Sequence, residues 1–154
     1  MKTGHADKAR ELFNDGYNCS QAVFGAFAED AGLDMKTALR FASPFGGGMG
    51  RMREVCGGVS GMFMVLGLFF GYDEPDDAQA KKELYSYVRA LADKFKESEG
   101  SIICRELLAG VKTQPGPNPE DRNTEDYKKR PCPELVAYAA QLVEDFLNEH
   151  GKLE

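Results

Sequence analysis

Four cysteines, Cys19, Cys56, Cys104 and Cys132, are the residues of this 154-residue chain best suited to chemistry. Each stands at or near the start of a segment that reads as a helix: Cys19 after Asn18, Cys56 ahead of Gly57-Gly58, Cys104 shortly after Ser101, Cys132 before Pro133. A helix N-terminus presents unpaired N–H groups and the positive end of the macrodipole, so it favours thiolate over thiol. That effect alone is about 0.3–1 kcal/mol and moves a thiol from about 8.5 to about 8. A neighbouring cation is needed to reach 7 or below. Arg51 and Arg53 precede Cys56, Arg105 follows Cys104, and Lys128-Lys129-Arg130 precede Cys132. Cys56 combines two arginines with small glycine neighbours and is the expected nucleophile. Cys104, set among Ile102, Ile103, Leu107 and Leu108, is expected to be less acidic.

Spacing limits the class of site. There is no CxxC and no CxxCH, which excludes a thioredoxin-like dithiol, paired zinc knuckles and covalent haem. Separations of 37, 48 and 28 positions mean that any joint site is assembled by the tertiary fold. Three readings follow. Cys56 or Cys19 attacks a disulfide or oxidised acceptor and a second cysteine resolves the mixed disulfide. Alternatively all four thiolates, Cys19, Cys56, Cys104 and Cys132, hold zinc or an iron–sulfur cluster. In the third, the chain is a helical interaction module with inert cysteines. The loop Phe45-Gly46-Gly47-Gly48-Met49-Gly50-Arg51 fits neither GxGxxG nor a P-loop, and reads as a hinge or a tight helix crossing. His5 and His150 lie at the chain ends and are expected to be solvent-exposed.

Composition narrows the partners. With 19 Lys and Arg against 25 Asp and Glu, the net charge of -6 argues against nucleic acid, which requires a basic face. No signal-like apolar run opens the chain, so a cytoplasmic protein with reduced thiols is expected. Residues 55–72 carry no charge, but five glycines and the lack of a second span favour a buried helix over membrane insertion. The expected partner is a redox protein or a small oxidised acceptor, and a homodimer is compatible with the sequence.

Periodicity places helices at about 6–14, from Asn18 onward, at 34–41, through 55–70, at 77–99, 101–108 and 132–148. Asn18 with Gln21 has capping-box spacing, Asp34 is an N-cap, and Gly100 and Gly110 are stops. Residues 111–130 hold three prolines and no periodicity; a loop this long is expected to cover the site. The expected fold is all-α: one domain over residues 1–154, with six or seven helices around a buried glycine-rich central helix.

Several stretches together resemble the redox-active protein family named for its C_GCAxxG_C_C pattern. They are Tyr17-Asn18-Cys19-Ser20-Gln21-Ala22-Val23, the glycine loop, Cys56-Gly57-Gly58-Val59-Ser60-Gly61, the stretch around Cys104, and Cys132-Pro133. The chain departs at Gly58, where that family usually has Ala. The resemblance implies a small cytoplasmic helical protein with redox or metal chemistry at its four cysteines.

Overall fold

The computed structural model describes residues 1–153. Six helices of eight residues or more form it: α1 (His5–Asn14), α2 (Cys19–Phe27), α3 (Met35–Ala42), α4 (Gly57–Phe70), α5 (Ala78–Glu99) and α8 (Cys132–Glu149). Two single-turn helices, α6 (Cys104–Leu107) and α7 (Glu125–Lys128), lie between α5 and α8. Among the described residues no strand forms; the nearest approach is one antiparallel bridge, Val55 to Ile103. The architecture is all-α, and no helix of the described residues is long and apolar enough to cross a membrane.

Local chemistry sets the helix ends. Asn18 accepts from the Gln21 N–H at 2.9 Å while the Gln21 side chain accepts from the Asn18 N–H at 3.0 Å, a closed capping box that fixes Cys19 as the first residue of α2. Asp34 caps α3 and Asp77 caps α5, each by accepting an N–H three residues on. Gly100 ends α5 at φ 90, where a residue with a Cβ would be strained. Ser101 does not cap a helix at once: its hydroxyl accepts from Ile103 N–H at 2.9 Å, and α6 begins only at Cys104.

The centre of the bundle is α2. It packs against α1, α3, α4 and α8, and every residue but Cys19 and Gln21 is buried. A helix with no charge on any face has to be enclosed. The first half of α4 is buried across it, but Leu68 at 38% exposure and Gly67 lie open, so α4 is less enclosed than its uncharged sequence leads one to expect. Val23, Phe27, Met62, Leu66, Val136 and Leu147 are fully buried; each contributes about 1.5–3 kcal/mol relative to exposure.

Glycine makes the α2–α4 contact. A Cβ at Gly57 would lie 2.9 Å from Cys19 Cβ, and one at Gly61 would lie 2.9 Å from Val23 Cβ. Residues four apart share a face, so both glycines let the backbone of α2 settle onto α4 and bring the start of each helix together.

The glycine loop is neither hinge nor simple crossing. Residues 47–51 all have positive φ, between 57 and 72, and Arg53 adds another at 61. Left-handed backbone costs about 1–2 kcal/mol per non-glycine residue, and Met49, Arg51 and Arg53 bear it. Bonds within the turn hold it: Arg53 N–H donates to Gly47 O and Glu54 N–H to Gly48 O, each six residues back. Strain of this kind persists where surrounding structure fixes it, and here it aims Arg51 and Arg53.

Candidate functional site

Four elements meet where the cysteines lie. Cys19 opens α2, Cys56 is the N-cap of α4, Cys104 opens α6 and Cys132 opens α8. Main-chain pairing unites the second and third: Cys56 N–H donates to Ile102 O at 2.8 Å and Cys104 N–H donates to Glu54 O at 2.6 Å. All four cysteines line one cavity of about 70 Å³. A wider groove of about 490 Å³ shares Asn18, Gly47, Arg53, Arg122, Tyr127 and Arg130 with it and leads to the surface. All four cysteines are unbridged.

The thiols are not equivalent. The mutual interaction of Cys19 and Cys132 holds Cys132 below the usual thiol value and Cys19 well above it. The direction has a physical cause. Burial opposes the Cys132 thiolate, but Arg130, Arg53 and Arg122 supply positive charge to it. Burial and the Cys132 charge both push Cys19 up, so Cys19 is the thiol of the two that keeps its proton longer. Burial raises Cys56 to about 12, against the opposing pull of the Val59 and Gly58 N–H groups. Burial also raises Cys104, although Arg53 Nη1 lies 3.8 Å from its sulfur.

The arginines are held by one carboxylate. Glu120 receives Arg53 Nη2 at 2.8 Å and also pairs with Arg51 and Arg130. Burial raises the Glu120 carboxyl, but the Gln114 N–H, Arg130 and Arg51 together hold it below its ordinary range. Arg51, expected beside Cys56, instead donates to the carbonyls of Gln114, Gly116 and Asn118 and so clamps the loop down. Arg53 does reach a sulfur, that of Cys104, and its charge acts on Cys132 across the cavity. Arg122 lies 4.3 Å over the Phe13 ring and donates to the carbonyls of Phe13 and Tyr17. Arg130 stacks on Tyr127 at 4.4 Å, with its Nε buried and unpartnered.

Residues 111–130 therefore furnish Glu120, Arg122, Tyr127 and Arg130 to the cavity and groove walls. Of these, Arg130 could be found in the sequence from its nearness to Cys132. Glu120 and Arg122 leave no signal, because nothing in an aperiodic loop says which charges turn inward.

The donor set for zinc or an iron–sulfur cluster is not assembled by these four sulfurs. Among the described residues no three His, Cys, Asp or Glu side chains stand where one metal ion could bind them.

His5 is not a frayed surface residue. It is 5% exposed, stacked on Phe27 with centroids 4.2 Å apart, and each ring nitrogen lies 2.7 Å from a carboxylate oxygen, Glu144 on one side and Asp30 on the other.

No curated protein and no solved structure matches the chain. One family matches, described as putative redox-active protein (C_GCAxxG_C_C), over residues 17–146. That span begins just before Cys19 and contains all four cysteines, the strained glycine turn and the arginine-bearing loop. The chain belongs to the C_GCAxxG_C_C family.

Proposed function

We propose that the protein is a cytoplasmic dithiol oxidoreductase in which Cys132 is the attacking thiolate and Cys19 the resolving thiol. The observation that carries this reading is that Cys19 and Cys132 line one cavity whose walls also hold Arg53, Arg122 and Arg130. Charge on a sulfur is what makes it a nucleophile, and Cys132 is the sulfur with that support. It thus replaces Cys56, whose value of about 12 leaves it protonated.

Cys132 Sγ attacks one sulfur of an acceptor disulfide. A new S–S bond forms to Cys132 as the acceptor's own S–S bond breaks, and the departing thiolate takes a proton from water. Cys19 then gives up its proton to solvent and attacks Cys132 Sγ. The Cys19–Cys132 disulfide forms, and the second half of the acceptor leaves as a thiol. Two electrons have passed from the protein dithiol to the acceptor, and an external dithiol returns them.

The test uses reduced protein kept free of oxygen, treated with one equivalent of 2-hydroxyethyl disulfide and mapped without reduction. The expected product is a peptide linked through Cys19 and Cys132. Cys19→Ser should trap a mixed disulfide on Cys132. A mixed disulfide on Cys56 instead, or a Cys56–Cys104 bridge as the main product, would overturn the assignment.

A further inference from the structure

The groove outside the cysteines is charged against the trend of the molecule. Its walls carry Arg51, Arg53, Arg122 and Arg130 against Glu120 alone, four positive groups and one negative, in a chain of net charge -6. Glu120 engages three of the arginines. Arg122 has backbone carbonyls and an aromatic face, and among the described residues no carboxylate. Arg130, whose side chain is only 5% exposed, leaves its Nε–H buried with no acceptor. A buried N–H without a partner is rare, and it calls for a ligand or water that supplies the missing oxygen. Both arginines line the groove and the inner cavity.

Size limits what enters. The inner space of about 70 Å³ admits a small group and no folded segment, whereas the groove of about 490 Å³ is in the range that holds a small molecule. Guanidinium forks match the planar oxygens of a carboxylate.

We propose that the acceptor is an acidic small-molecule disulfide, whose carboxylate is bound by Arg122 and Arg130 while its S–S bond meets Cys132. This rests on the dithiol reading above. The guanidiniums of Arg122 and Arg130 line both the groove and the inner cavity, and the charge excess of the groove draws the anion in.

Three disulfides of similar size separate the claims: dithiodiglycolate, a dianion; 2-hydroxyethyl disulfide, neutral; and cystamine, a dication. Each is mixed with the reduced protein without oxygen, and the rate of Cys132 modification is read by quenching and peptide mass. The dianion should react about tenfold or more faster than the neutral compound, the cation slowest, and added salt should narrow the spread. In Arg122→Gln the dianion-to-neutral ratio should fall toward one. A ratio is insensitive to any general loss of thiolate in that variant. Iodoacetate against iodoacetamide on the unaltered protein gives the same comparison with no substitution, and anion preference at Cys132 is again expected. Equal rates for anion and neutral reagent would overturn the acidic acceptor and leave the dithiol reaction standing. Failure of all three disulfides to oxidise Cys132 would overturn both.

Discussion

Two buried clusters of charge lie on α8, one at its start and one twelve residues along, about 18 Å apart at helical rise. In the second, around His5, every polar atom of the imidazole has a partner: Nδ1 meets Glu144, Nε2 meets Asp30, and the His5 main-chain N–H also donates to Glu144. In the first, around Cys132, three arginines converge on Glu120, and a buried guanidinium N–H has nothing to bond. A satisfied polar network fixes a structure; a buried donor left without a partner calls for an explanation of its own. The His5 cluster ties α1, the turn after α2 and α8 together. The Cys132 cluster is held open by a strained turn and a clamped loop.

Removing His5 is the harshest break of this contrast. His5→Ala leaves the Glu144 carboxylate buried without its main partner, and loss of one side of a buried pair costs about 3–5 kcal/mol. Urea unfolding should show that loss, with the modification of Cys132 unchanged in the protein that remains folded. The same cluster sets acid sensitivity. Burial raises both carboxyls, yet Lys2 and His5 hold Asp30 below its ordinary 3.8, and His5 with Gln141 holds Glu144 below its ordinary 4.5. Groups depressed on folding give stability that is present above the unfolded value and lost as pH falls through the folded one. Stability should therefore decline from about pH 4.5 downward. A flat profile between pH 5 and 3 would contradict this.

Gly57→Ala attacks the other cluster through packing alone. Its Cβ would lie 2.9 Å from Cys19 Cβ and 3.1 Å from Ser20 N. Overpacking of this sort costs about 1–3 kcal/mol, and here the strain falls on the start of α2. Cys19 should be displaced from Cys132, so the mixed disulfide on Cys132 should persist longer, as read by time-resolved peptide mapping.

Arg130→Gln tests what holds the Cys132 thiol below its ordinary value. Arg130 is the first of the cations that stabilise it, so the pH midpoint of Cys132 alkylation should rise by about one unit, equivalent to about 1.4 kcal/mol. An unchanged midpoint would take Arg130 out of the cause and leave Cys19, Arg53 and Arg122.

The helices and their caps were legible because their causes are local. Asn18 with Gln21, Asp34 with Thr37 and Gly100 all act within four residues, where spacing is visible in the chain. The positions of the cysteines at helix starts followed from the same signals. The clusters were not legible, because their partners are far apart in sequence: His5 meets Glu144 across 139 positions and Arg51 meets Glu120 across 69. Which cysteine is the acid depends on that distant pairing. Arg51 and Arg53 precede Cys56 in the chain, but six residues with positive φ turn the two arginines toward Glu120 and Cys104. Proximity in sequence therefore pointed to Cys56, while the turn between them carried the charge elsewhere.

The smallest change sharpens the comparison most finely, because it lies next to Gly57 and should act in the opposite sense. Gly57 faces α2, whereas a Cβ at Gly58 would face α8, 3.7 Å from Ala139 Cβ, from Val136 Cα and from Cys56 Sγ. Those are ordinary contacts, and Gly58 has no positive φ to forbid a side chain. Alanine also restricts the unfolded chain and suits a helix interior better than glycine. Gly58→Ala should stabilise by about 0.4–1 kcal/mol, a rise of roughly 1–4 °C in Tm. Its methyl group would add apolar cover over Cys56, so that thiol should become no easier to alkylate. A fall in Tm would mean that α4 and α8 pack more tightly at this point than 3.7 Å allows, and that the approach reserved for Gly57 extends to its neighbour.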